Sequence, residues 1–203
     1  MRHEIRVADP RHEALLRRLY EAASIDIAPA ALPYVTRSGR SVRWAMDVRL
    51  PLLRSELLQP AAAALAERLA ELQVTQVTGR GMGAAPLVCG VVAQARGIDG
   101  SLVRDQPKDH GFLRPFEGEL DAGRPVWVLE DIVNSGRSVL KAAAALRGEG
   151  LEVHGVVCLF HFTWGSGRAR LGRGGLRLEP MAELHQRATF SRGLRARLQN
   201  LVP

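Results

Sequence analysis

The stretch VWVLEDIVNSGRSVLKAAAALRGEG, residues 126–150, decides how the chain folds. Residues 126–133 are an apolar run closed by the acidic pair Glu130-Asp131, which predicts a strand buried on both faces. Asn134-Ser135-Gly136 are turn formers. From Ser138 an alanine-rich stretch reads as a helix, stopped by Gly148 and Gly150. A buried strand that passes through a small-residue turn straight into a helix is half of a βαβ unit.

The same alternation extends outward. Downstream, VHGVVCLF (153–160) is another buried strand and LRLEP (176–180) a weaker one. Upstream, residues 55–72 form a strong Ala- and Leu-rich helix, VTQVT (74–78) a short strand, APLVCGVVAQARG (85–97) a helix and SLVR (101–104) a strand. Strands alternating with helices of this length predict an α/β fold, a parallel β-sheet flanked by helices with right-handed crossovers. The N-terminus, MRHEIRVADPRHEALLRR, reads as a helix start at Asp9-Pro10 with no apolar signal core. A single domain over 1–203 is expected, with an N-terminal helix and hood segment over about 1–54, an α/β core over 55–185 and a C-terminal tail over 186–203. The turn-rich stretch 105–125 is long for an internal connection and reads as a lid or binding loop.

Composition narrows the class. The 203 residues carry 28 Lys+Arg against 21 Asp+Glu, a formal charge of +7, with 46% hydrophobic residues, the proportions of a globular protein. The excess is arginine, since lysine occurs only at Lys108 and Lys141. The charge admits nucleic acid or a phosphorylated small molecule as partner. No run of like charge makes a basic disordered tail, and no apolar run approaches the ~20 residues that span a bilayer. A cytoplasmic protein without membrane contact is expected. Cys89 and Cys158 both lie in apolar stretches and read as buried free thiols.

Three strand ends carry the chemistry, because ligands of open parallel sheets collect beyond the carboxyl ends of the strands. At the first, Glu130-Asp131 precede Asn134-Ser135-Gly136-Arg137-Ser138 at a helix N-terminus. Backbone N–H groups there, with the Ser135 and Ser138 hydroxyls, suit a phosphate dianion. The carboxylates suit sugar hydroxyls or Mg²⁺; the plainer alternative is a capped helix with a solvated acidic pair. At the second, Arg80, Gly81, Met82 and Gly83 follow the strand at 74–78, a glycine-rich turn that lets backbone approach a ligand or simply joins strand to helix tightly. At the third, Arg104 is followed by Lys108-Asp109-His110-Gly111, a cationic cluster or a solvated charged loop.

Together these residues resemble the type I phosphoribosyltransferases. VWVLEDIVNSGRSVL is similar to that family's ribose-phosphate signature, GAAPLV to the start of the helix after its pyrophosphate loop, and Arg37-Ser38-Gly39-Arg40 to its turn ahead of the base site. The Lys108-Asp109-His110-Gly111 run with Arg104 before it resembles the catalytic loop of the orotate phosphoribosyltransferases. The resemblance covers about residues 30–185 and implies the family's fold. It implies that Glu130 and Asp131 hold the ribose of phosphoribosyl pyrophosphate, and that Asn134 to Ser138 hold its 5-phosphate. Arg80 to Gly83 would then bind pyrophosphate, and Arg37 and Phe162 would lie at the base. Arg104, Lys108, His110 and Asp131 become the catalytic set, with Mg²⁺ held through the substrate rather than by its own protein site. A homodimer, in which the loop serves the neighbouring subunit, is implied as well.

The chain departs from that pattern at particular positions. Asp105 stands where a second loop lysine is usual, Gly83 where a lysine is common, and Arg137 where a glycine is common. His161-Phe162-Thr163-Trp164 replaces an Asp-Arg whose arginine binds the carboxylate of orotate. Phe162 lacks the donors of a guanidinium and suits ring stacking or packing. The expected reaction is phosphoribosyl transfer to a nitrogen of a nucleobase-like acceptor, orotate-type or a related heterocycle, releasing pyrophosphate. The alternative is a non-catalytic sensor of phosphoribosyl pyrophosphate that binds nucleic acid. Lys108, His110 and the want of a recognisable nucleic-acid motif speak against it.

Overall fold

Strands that are apolar on both faces must be covered on both faces, and this requirement organises the chain. The computed structural model describes residues 3–26, 34–35, 41–42, 44–104 and 114–186. Arg37, Asp105, Lys108 and His110, and the tail beyond residue 186, lie outside the described residues.

In chain order the elements are β1 (His3–Val7), α1 (Glu13–Ala23), β2 (Ser24–Asp26), β3 (Tyr34–Val35), β4 (Ser41–Val42), β5 (Trp44–Met46), α2 (Ser55–Glu71), β6 (Gln76–Arg80) and α3 (Gly81–Gln94). There follow β7 (Asp99–Val103), β8 (Phe116–Glu117), β9 (Val126–Val133), α4 (Arg137–Gly148), β10 (Val153–Phe162), α5 (Gly167–Arg173) and β11 (Arg177–Gln186). One sheet runs β1-β11-β10-β9-β6-β7-β8. From β11 to β7 neighbouring strands are parallel, while β1 and β8 are antiparallel additions at the two edges. The pairs β2–β5 and β3–β4 form short separate ribbons.

Alternate residues of β9 serve two cores. Trp127 and Leu129 join Leu16, Leu65 and Leu87 of α1, α2 and α3, whereas Val126 and Val128 join Val139 and Leu146 of α4 and Leu171 of α5. No helix among the described residues is long and apolar enough to cross a membrane.

Three local readings change. The first residues form a strand before any helix: His3 and Ile5 are buried and Glu4 and Arg6 exposed, a period of two too short to stand out beside the helix that follows. The last strand extends to Gln186, because β1 and β10 both pair with its second half and Arg168 holds the carboxylate of Glu183 within it. Cys89 is exposed, on the outer face of α3, while Cys158 is buried and its thiol is pushed up by burial.

The fold places two strand-to-helix turns, after β6 and after β9, side by side at the carboxyl edge of neighbouring strands. That edge is where an open parallel sheet binds ligands.

Candidate active site

The two acids near the end of β9 diverge. Glu130 is buried and accepts a hydrogen bond from Ser138 Oγ in the first turn of α4, 2.7 Å away. Asp131 turns toward α3: a Cβ placed on Gly83 would lie 2.5 Å from Asp131 Oδ2. Its Oδ1 accepts the N–H of Ile132 at 2.7 Å. Burial pushes the Asp131 carboxyl above the usual carboxylate range, against that hydrogen bond and the charge of Arg49. Arg49 is itself held on Asp47, Nη2 to Oδ2 2.6 Å. Asp47 and Arg49 lie in a segment of mixed pattern, where nothing local marks them as neighbours of Asp131.

The turn after β9 is built for an anion. Gly136 takes φ +69° as the residue that opens α4, and no side chain caps the helix, so its first N–H groups are available. Only glycine adopts that conformation without strain. Asn134 and Arg137 are exposed and Ser135 is half-buried. Ser138 has one hydroxyl proton and donates it to Glu130, so it stands in this turn as the residue that fixes Glu130. Behind the turn lies α5. Arg170 donates from its guanidinium to the Ser135 carbonyl, and Leu171 packs under Gly136.

After β6 the chain departs from the expected glycine-rich turn: the strand runs to Arg80 and α3 begins at Gly81, so the junction has no loop residue of its own. It is likewise open. Arg80 is half-buried at the start of α3, which has no side-chain cap, and Met82 in its first turn is exposed. Two uncapped helix N-termini, each a partial positive charge, thus meet the acids of β9, that of α3 at Asp131 and that of α4 at Glu130.

The remaining sites are less open than their sequence suggests. Arg104, at the end of β7, is ion-paired with Glu117 of β8 and is mostly buried. Phe162 is 9% exposed, stacked on Trp164 at 4.9 Å and tilted against Trp44 at 5.8 Å. Trp164 is the more exposed ring of the pair, and His3 stacks on it at 4.9 Å. Next to them His161 is buried, with Nδ1 3.1 Å from Glu183 Oε1, and Arg168 reaches the same oxygen at 2.5 Å. Burial drives the His161 pKa down despite Glu183. Burial alone would raise Glu183, but hydrogen bonds from Arg168 and His161 hold it below its usual value.

Comparison with known proteins gives this geometry a context. No family model matches the chain. The orotate phosphoribosyltransferase of Bacteroides fragilis is 35% identical over 149 residues, 71% of this chain and 68% of that protein. That of Aquifex aeolicus is 31% identical over 175 residues, 84% of this chain and 94% of its own length. Among solved structures, Mycobacterium tuberculosis orotate phosphoribosyltransferase is 28% identical and superposes with a TM-score of 0.70, covering 83% of this chain and 94% of that one.

Proposed function

The chain belongs to the type I phosphoribosyltransferases, on the orotate phosphoribosyltransferase side of that family, and from this premise we propose a reaction and a set of residue roles. The enzyme transfers the phosphoribosyl group of phosphoribosyl pyrophosphate to a base. The acceptor is a ring nitrogen of an orotate-type pyrimidine or a related heterocycle, and pyrophosphate is released. The nitrogen lone pair forms the bond to the anomeric carbon as the carbon–oxygen bond to pyrophosphate breaks.

Charge develops on the leaving pyrophosphate and on an oxocarbenium-like ribose, so fixed cations, dipoles and excluded water are what the protein contributes. In this reading the N-terminus of α4, with Asn134, Ser135, Gly136 and Arg137, cradles the 5-phosphate. Asp131 accepts from ribose hydroxyls, and Glu130 acts with it while holding Ser138. The N-terminus of α3, with Arg80, Gly81, Met82 and Gly83, receives pyrophosphate. Arg104, Lys108 and His110 complete the leaving-group site, and the segment that carries the last two acts as a lid. Arg37 and the Phe162–Trp164 stack border the base.

The described residues include no group of three or more His, Cys, Asp or Glu side chains able to hold a metal ion. Glu130 is occupied by Ser138 and Asp131 points the other way, toward α3. A Mg²⁺ would therefore be held mainly by the substrate's own phosphate oxygens, with Asp131 as the one of these two carboxylates within reach. When bound it neutralises charge on pyrophosphate and ribose oxygens. The enzyme works in the cytoplasm as a homodimer, which light scattering of the purified protein tests.

The observation that carries the reading is the pair of uncapped helix N-termini that meet the acids of β9, α3 at Asp131 and α4 at Glu130. The decisive experiment measures pyrophosphate released from phosphoribosyl pyrophosphate and Mg²⁺ against a panel of bases that includes orotate. Base-dependent release is expected. A folded protein that releases none with any base would overturn the reading and favour a sensor.

A further inference from the structure

Beyond Trp164, the segment after β10 has no part in the reaction as described, yet it lies directly against the phosphate turn. Gly167, the first residue of α5, lies so near that a Cβ there would sit 2.6 Å from the Asn134 carbonyl oxygen. One turn later Arg170 donates to the Ser135 carbonyl, and Leu171 lies 3.1 Å from where a Gly136 Cβ would stand. The opposite side of α5 is fixed to β11. Arg168 and His161 both hold Glu183, and Thr163 Oγ1 donates to the Leu184 carbonyl at 2.9 Å. The segment 161–171 therefore has one end anchored in the sheet and the other pressed on three consecutive residues of the turn.

The bond from Arg170 has a directional consequence. The peptide between Ser135 and Gly136 is trans, as all described peptides are, so its C=O and N–H point in opposite directions. Drawing the carbonyl back toward α5 turns the Gly136 N–H away from α5, to the side on which the α4 N-terminus opens. The same contact leaves that carbonyl's negative end out of an anion site. Gly136 has no side chain to hold this orientation, and glycine takes φ values on either side of its +69° at little steric cost. Among the described residues, Arg170 is the group that holds that carbonyl.

We propose that α5 is a clamp on the phosphate turn and that Arg170 is a positioning residue for the 5-phosphate end of the substrate. The inference rests on the reading of residues 134–137 as the 5-phosphate cradle, and it concerns only how the cradle is held. Arg170 acts through Ser135 and Gly136 rather than by touching substrate.

Three variants test it. Arg170→Met keeps the apolar stem and removes the donors, Arg170→Lys restores one donor, and Gly167→Ala presses on Asn134 while leaving Arg170 in place. Calorimetric titration with ribose 5-phosphate probes the cradle, inorganic pyrophosphate probes the turn after β6, and steady-state kinetics gives KM and kcat. Loss of a hydrogen bond that orients a donor to a charged group predicts about a tenfold weaker Kd for ribose 5-phosphate in Arg170→Met. KM for phosphoribosyl pyrophosphate rises by a similar factor, while kcat stays within about twofold, the pattern of lost uniform binding. The pyrophosphate Kd is unchanged, Arg170→Lys recovers most of the affinity, and Gly167→Ala reproduces the loss. Wild-type affinity in Arg170→Met, or equal weakening of both probes, would overturn the clamp while leaving the function intact. Wild-type affinity in Gly167→Ala would mean that Arg170 touches phosphate itself, and would also overturn it. A wild-type protein that binds neither probe would remove the cradle and the clamp together.

Discussion

The turn that joins β6 to α3 and the turn that joins β9 to α4 each bring a helix N-terminus without a side-chain cap to the same edge of the sheet. They are held from different directions. The β6 turn meets the sheet: Gly83 lies against the Asp131 carboxylate, and Met82 beside it faces solvent. The β9 turn has a second element behind it, with Gly167, Arg170 and Leu171 of α5 on its outer side and Glu130 holding Ser138 within. In the proposed reaction the better-held turn receives the part of the substrate that stays, the 5-phosphate. The less supported turn receives the part that leaves. A rigid cradle preserves the alignment of the anomeric carbon, where small displacements are costly, while a leaving group benefits from a site that can yield.

Substitutions at the shared wall separate the two turns. Asp131→Asn should have the largest effect. Loss of a charge-assisted contact to ribose hydroxyls lowers kcat/KM by about 100-fold or more. Because burial raises the Asp131 pKa, its ionised form opposes folding at neutral pH. A neutral amide at this position relieves that cost, and calorimetry should find Tm higher than in the wild type. The linkage has a definite sign: the folded-state pKa lies above the unfolded one, so this group favours the fold at acid pH and loses that contribution as pH rises through the folded value. A fall in Tm with Asp131→Asn would break the argument.

Gly83→Ala comes next. Its Cβ meets Asp131 Oδ2 at 2.5 Å, so the turn or the carboxylate must shift, an overpacking cost of about 1–3 kcal/mol. The expected outcome is a loss of about tenfold in kcat/KM with weaker pyrophosphate inhibition and unchanged ribose 5-phosphate binding. Equal loss at both ends would show that the two turns move as one body.

The smallest effect concerns the anchor of α5. His161 titrates below its ordinary value through burial, so stability from its neutral form is present above ~6.5, the unfolded histidine pKa, and is lost as pH falls through the folded value. Glu183 is also held below its usual value, and its contribution disappears only in the more acidic carboxylate range. Thermal melts from pH 7.5 to 5 should show Tm falling in the wild type and falling less in His161→Gln. Parallel curves would remove His161 from the anchor.

Much of this arrangement is legible along the chain. The apolar run 126–133, the acids that close it and the small residues of 134–138 carry strand, turn and helix within 25 residues, and β9 and α4 stand where that pattern puts them. The helix at 55–72 and the strand at 153–160 are equally plain, because their patterns are local and long. Brevity hides β1, and Glu183 in β11 looks out of place until its partners are known. Sequence leaves Phe162 between stacking and packing. Trp44 decides its burial, and no periodicity relates the two.

By itself the sequence determined the alternation of the longer strands and helices from α2 to β10, the two junctions rich in small residues, and the chemistry at their ends, all consequences of backbone propensity and side-chain period over a few residues. Tertiary structure alone decided which way that chemistry points. It sent Glu130 to α4 and Asp131 to α3, paired Arg104 with Glu117, laid β1 against β11 with His3 opposite Gln186, and set Arg170 on Ser135. The sheet's twist and the cover of its two faces bring such residues together, and these depend on packing among distant segments, which short-range pattern does not encode.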